Sequence, residues 1–217
     1  MKKCILFLLI ATCNIITSQE YTYKEKSITG IFTLEGENKN SIYSKLNKWI
    51  SLNYNSSKNV IQLNDKEAGN IIIKGVNTAR YKNALKEIYP KNKYIKEFES
   101  LDFNHVIEIG IKDGKFRMIF TLTNIVSSTN QFSQGVTKDL VFSVVSLDGQ
   151  NSEALNKYNF YLDDLWKKSM IGKKKRELYL KNTEPVFSEL NKGVIQDIEK
   201  TMMSMFLSLS NNKDEDW

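Results

Sequence analysis

The sequence predicts an α+β domain in which two amphipathic helices cover one face of an antiparallel sheet. Three observations carry that prediction. Residues 104–112 and 115–125 are alternating apolar and polar runs on either side of Asp113-Gly114, a pair favoured in two-residue hairpin turns. Ile42, Leu46, Trp49, Ile50 and Tyr54 recur at helical spacing. Val186, Leu190, Val194, Ile198, Met202, Met205, Phe206 and Leu209 make a second, longer stripe. A sheet with one apolar face and two helices with one apolar stripe each bury those surfaces against one another.

The chain opens on a different kind of segment. Lys2 and Lys3 precede Cys4 to Ile16, an uncharged apolar run of thirteen residues, and the block closes on Ile16-Thr17-Ser18. A membrane-spanning helix takes about 20 residues. The run therefore reads as a secretory signal over residues 1–18, cut between Ser18 and Gln19. The expected location is the periplasm or the cell envelope, with no transmembrane span after processing. An alternative is lipidation at Cys13, although Thr12 is larger than that position usually accepts. Cys4 and Cys13 are the chain's two cysteines. A mature chain without them has no disulfide, thiol catalysis or cysteine-ligated metal.

Residues 28–34 read as a strand ended by Glu35-Gly36. Asn40 or Ser41 then offers an N-cap for the helix that carries Trp49. Residues 60–63 and 71–76 are β-rich, and the turn between them places Gly69 at a positive-φ position. Residues 79–100 are polar and lysine-rich. Tyr81, Leu85, Ile88 and Tyr89 outline a short helix there, stopped by Pro90. The segment interleaves Tyr89 and Tyr94 with Lys91, Lys93 and Lys96, and reads as a solvated excursion rather than a nucleic-acid surface.

The Asp113-Gly114 pair, read as a type I′ turn, sets a register for its hairpin. Lys112 faces Lys115, Ile111 faces Phe116, Ile109 faces Met118 and Ile107 faces Phe120. One face is then apolar throughout and belongs to the core. The other carries Val106, Glu108, Gly110, Arg117, Ile119, Thr121 and Thr123, with Glu108 diagonal to Arg117. That mixed face is expected to be open or partly covered. His105, the chain's one histidine, falls on the apolar face opposite Leu122, where a packed, hydrogen-bonded role is expected.

Ser127 to Thr137 reads as a polar loop. Leu140 to Val145 reads as a further strand closed by Asp148-Gly149. Leu155, Tyr158, Leu162, Leu165 and Trp166 outline a helix, and Lys173, Lys174, Lys175 and Arg176 break its pattern as a basic loop and helix end. The last helix starts near Thr183 with Pro185 in its first turn. Gly193 inside it costs about 1 kcal/mol against alanine and implies close packing or a bend. Residues 211–217 read as a disordered tail.

Function is constrained mostly by what is missing. Formal net charge is +6, and loss of Lys2 and Lys3 lowers it by two, a value that serves solubility without marking a nucleic-acid partner. There is no phosphate-binding glycine loop, nucleophile elbow or dinucleotide fingerprint. No catalytic residue, cofactor or metal ligand is expected, so the chain reads as a non-enzyme. The basic group Lys173, Lys174, Lys175 and Arg176 is a candidate contact for anionic membrane head groups.

Tyr43, Trp49, the run Ser56-Ser57-Lys58-Asn59-Val60-Ile61-Gln62, and Asp65-Lys66-Glu67-Ala68-Gly69-Asn70-Ile71-Ile72-Ile73-Lys74-Gly75 resemble the family known as domain of unknown function 4468, with TBP-like fold. The resemblance continues through the Asp113-Gly114 hairpin and covers about residues 28–125, more weakly the final helix. It implies a curved antiparallel sheet with helices on one face, in an exported or envelope protein of Bacteroidetes-type bacteria. It implies no reaction, and a fold shared with TATA-binding protein does not imply DNA binding. On this reading residues 19–210 form one domain with insertions at about 79–100 and 130–180.

The resulting expectation is a non-catalytic binding or assembly module. It uses the open face around Glu108, Arg117, Ile119 and Thr121 to hold an envelope protein or lipid partner. Two alternatives stand beside it. One is a carrier of lipid or small hydrophobes, with a cavity between terminal helix and sheet. The other is a hydrolase whose carboxylate pair is assembled in space.

Overall fold

The computed structural model describes residues 20–54, 57–83, 86, 89–126, 136–149, 151–168 and 172–210. The export segment with its Ser18–Gln19 cut, Cys4 and Cys13 all lie outside the described residues. So do Leu85, Ile88, most of the 127–137 loop and the tail at 211–217.

Alternating residues over most of the first half pair into one six-stranded antiparallel sheet. Its strands are β1 (Glu20–Lys24), β2 (Ser27–Thr33), β3 (Ile61–Asp65), β4 (Asn70–Lys82), β5 (Phe98–Lys112) and β6 (Lys115–Val126). The order is β1-β2-β6-β5-β4-β3, an open sheet with β1 and β3 at its edges. The helices are α1 (Lys39–Asn53), α2 (Ser57–Val60), α3 (Val136–Val144), α4 (Ser152–Lys168), α5 (Lys173–Lys181) and α6 (Thr183–Ser210).

The expected β5–β6 register is present: Lys112 pairs Lys115, Ile109 pairs Met118, Ile107 pairs Phe120 and His105 pairs Leu122. Past His105 the ladder shifts by one, so that Asn104 pairs Asn124. Ile107, Ile109, Ile111, Phe116, Met118 and Phe120 are all buried. Against them pack Ile42, Leu46, Trp49 and Ile50 of α1, and Leu190, Val194, Ile198, Met202, Met205, Phe206 and Leu209 of α6. Phe32 of β2 joins the layers, stacking on Phe116 at 5.1 Å and lying 5.5 Å from Phe206 between ring centroids.

Gly193 is explained by close packing. A Cβ there would fall 2.8 Å from the Arg80 carbonyl oxygen and 2.8 Å from Tyr81 Cβ. Gly30 admits the Met202 side chain, whose Cε would lie 2.9 Å from an added Cβ. At that point the space between terminal helix and sheet is filled, which gives the carrier reading no support.

Five local expectations are corrected. The turn at Asp113-Gly114 is not type I′, which needs positive φ at both residues. Gly114 has φ +72, and among the described residues no non-glycine has positive φ. Contacts with the preceding segment hold the turn instead. Asp113 Oδ1 accepts from Lys39 N at 2.7 Å, Gly114 N donates to Glu37 O at 2.8 Å, and Gly114 O accepts from Leu34 N at 2.8 Å. The N-cap of α1 is Asn38, whose Oδ1 accepts from Ser41 N at 2.9 Å, rather than Asn40 or Ser41.

Tyr81 belongs to β4 and not to a helix, because β4 and β5 stay paired as far as Lys82–Phe98. Leu140 to Val145 is not a strand: residues through Val144 are helical in α3, and Val145 N donates back to Val141 O at 3.1 Å. Short apolar runs fit either structure, and here the ends decide. Lys26 Nζ donates to the carbonyls of Phe142, Ser143 and Val145, closing the C-terminus of α3 from the β1–β2 turn. Finally, Lys173 to Arg176 form the first turn of α5 rather than a loop.

Candidate functional site

Alternation along each strand sends one side chain in two away from the helices. Antiparallel register then lines those side chains into rows across the sheet. Ile31, Arg117, Gly110 and Asn70 stand in one row, and Thr29, Ile119, Glu108 and Ile72 in the next. A third row holds Ser27, Thr121, Val106 and Lys74. All four face residues expected from the sequence are therefore brought together on β5 and β6. Glu108 and Arg117 are exposed, and Ile119 and Thr121 are half-buried. Ile31 is 44% exposed, so the face presents apolar side chains to solvent between charged ones.

At the turn end of this face is a notch of about 350 Å³. Gly110 forms its floor, with Asn70 and Ile31 beside it and Lys112, Lys115 and Arg117 around it. Sequence reasoning placed Gly110 on the face but not the notch, because Ile31 and Asn70 reach it only through pairings distant in the chain.

A second depression, of about 380 Å³, lies where the end of α1 meets α6 over β4. Asp197 Oδ2 accepts from Asn77 Nδ2 at 2.7 Å, and the same amide nitrogen donates to Thr201 Oγ1 at 2.9 Å. Burial raises the Asp197 carboxyl above its usual range, against the opposing pull of the Asn77 hydrogen bond and the Lys200 charge. Asp197 is the one carboxylate among the lining residues. The two-acid geometry of a glycosidase is not assembled there. None of this cluster was legible in the sequence, since Asn77 and Asp197 are isolated polar residues on separate elements.

His105 sits behind that depression, 1% exposed, with its ring stacked on Phe120 at 4.5 Å between centroids. Its Nε2 is 3.2 Å from the Tyr54 hydroxyl. Burial lowers its pKa to about 4, so the ring is neutral near pH 7. Among the described residues no group of three or more His, Cys, Asp or Glu side chains is placed to hold a metal. No helix among them is long and apolar enough to cross a membrane.

The basic group on α5 is divided. Lys173, Lys174 and Lys175 are exposed, while Arg176 is half-buried and pairs with Asp163 of α4, Nε to Oδ1 at 2.8 Å. Lys173 Nζ lies 3.9 Å from Glu177. Arg176 therefore ties α5 to α4.

An open antiparallel sheet backed on one face by helices defines an α+β domain of TBP-like architecture. Residues 29–127, from β2 to the end of β6, match the family described as domain of unknown function (DUF4468) with TBP-like fold. A TBP-like protein from Parabacteroides distasonis ATCC 8503 has a similar structure, with TM-score 0.52 and 11% identity over 85% of this chain and 92% of that one. A DUF4468 family protein from Bacteroides ovatus ATCC 8483 gives TM-score 0.50 and 12% identity over 85% and 86%. At such identities the likeness concerns the fold alone. No curated protein matches the chain.

Proposed function

We propose that this protein is a non-catalytic binding or assembly module of the bacterial envelope, and that it holds a partner protein on the open sheet face around Glu108, Arg117, Ile119 and Thr121. The observation that carries the reading is the asymmetry of the sheet. One face is buried under α1 and α6, while the other leaves Ile31 exposed and Ile72, Val106 and Ile119 only half-covered, interspersed with charges. Apolar side chains ringed by polar ones are the surface composition of protein contacts. Export through the segment at residues 1–18 is part of the same proposal.

Site-specific photo-crosslinking tests it. A photoreactive residue at Ile119 or Thr121, in the producing bacterium, is expected to trap a discrete partner, whereas one at Glu189 on α6 traps none. Absence of an adduct at both face positions overturns the reading. Mass spectrometry of the mature N-terminus checks export separately: Gln19 is expected, and a chain still beginning at Met1 counts against it.

A further inference from the structure

We infer that the Gly110 notch receives a carboxylate from the partner, so that the segment docking there is acidic. The inference rests on the open-face reading above and names the chemistry of that face. Two features that work against the fold coincide at one place.

The first is Gly110 itself. It lies inside β5, paired on one side with Arg117 of β6 and on the other with Asn70 of β4. A glycine at such a position weakens a strand, and where one occurs it often marks close approach of a ligand or another backbone. Nothing in the fold requires it. Its φ is not positive, unlike those of Gly36, Gly69, Gly114 and Gly149. A Cβ there would meet nothing nearer than Asn70 Oδ1, at 3.9 Å. Gly30, Gly75 and Gly193 differ, since each has atoms within 3.0 Å of an added Cβ.

The second is charge. Lys112 and Lys115 face each other directly, and Arg117 follows on the same face of β6. Like charges in opposed cross-strand positions repel. No carboxylate lines the notch, and among the described residues none of the three cations forms an ion pair.

An anionic group seated over Gly110 accounts for both features. It fills the space left by the missing side chain and relieves the repulsion with charge-assisted hydrogen bonds. Asn70 supplies an amide, and Ile31 an apolar wall for the stem of an acidic side chain. An anionic bilayer is the poorer occupant. Glu108 stands two residues along β5, and Glu20 pairs with Ile31 across β1–β2. An extended negative surface would meet both, whereas one inserted side chain does not.

Fluorescence anisotropy with a short labelled oligoglutamate peptide at low salt tests the inference on the purified protein. Binding is expected, with an oligolysine peptide not bound. Gly110→Thr and Arg117→Gln are each expected to weaken binding by about 10-fold or more. The Gly110→Thr protein should melt no lower than the parent, because the added side chain meets open space. Equal affinity in parent and Gly110→Thr overturns the inference, as does tighter binding to phosphatidylglycerol vesicles than to the peptide. If the Ile119 crosslink persists while the peptide fails to bind, the inference falls and the open-face reading stands. If the peptide binds but no face position crosslinks, the open-face reading fails instead.

Discussion

The Tyr54 hydroxyl meets His105 Nε2 at 3.2 Å, and the pair lies directly over Gly75. A Cβ on Gly75 would fall 2.7 Å from Tyr54 Cε1 and 2.9 Å from the His105 ring. One missing side chain thus lets the chain's one histidine and the tyrosine that ends α1 pack together against β4. The histidine is enclosed without a charged partner, which makes it sensitive to acid.

Folding lowers the His105 pKa from 6.5 to about 4. As pH falls through that window the unfolded chain takes up a proton that the folded chain refuses, so stability is lost on acidification and is complete above the unfolded pKa. Between pH 7 and pH 5 this group alone should remove about 2 kcal/mol. Urea titrations at the two pH values measure the loss. Ring resonances of His105 titrating near 6.5 in the folded protein would contradict it.

Gly193→Ala should destabilise even though alanine favours helix by about 1 kcal/mol. The new methyl would press on the Arg80 carbonyl and Tyr81 Cβ, both parts of β4 that cannot swing aside. A net loss of about 1–3 kcal/mol is expected from such overpacking. A raised melting temperature for this variant would mean that α6 does not approach β4 so closely.

Trp49→Ala removes the largest side chain that α1 buries, with its Nε1 3.4 Å from Ser204 Oγ on α6. The expected cost is about 3–5 kcal/mol. Ser204→Ala should cost less than about 1 kcal/mol, since the hydrogen bond is long and the packing remains. Chemical denaturation of the pair separates packing from hydrogen bonding.

Lys26→Met takes its side-chain donor from the Phe142 and Val145 carbonyls at the end of α3, while Ser143 O keeps Asn151 Nδ2. Burial already holds the Lys26 pKa below the usual lysine range. About 2–3 kcal/mol should be lost, and the damage should be local. Amide exchange is expected to quicken in α3 while the β5–β6 ladder stays protected. Uniform quickening across both would show that Lys26 supports the whole domain.

The β5–β6 hairpin was legible because period-two burial and the Asp113-Gly114 pair specify the same register. The stripes of α1 and α6 were legible for the same kind of reason, sustained helical spacing. Polarity misled at residues 79–82 and 98–100. Thr78, Arg80 and Lys82 alternate with Ala79 and Tyr81 and face away from the helices, so a polar stretch is there a paired strand. Leu140 to Val145 misled because its helix is closed by Lys26, far away in sequence. The candidate face residues could be named from the hairpin alone. The notch over Gly110 could not, since two of its walls come from β2 and β4.

The strand order has a consequence for how the chain assembles. β2 lies beside β6, so Ile28 meets Phe120 and Phe32 meets Phe116 only after every other strand has been made. β5 and β6 close locally across a tight turn, whereas the β1–β2 hairpin has to dock on a strand far along the chain, so it is expected to find its place later. Pulse-labelled exchange during refolding should find β5 and β6 protected before β1 and β2. A nascent chain of this topology stays incomplete at its N-terminal end until β6 has been synthesised.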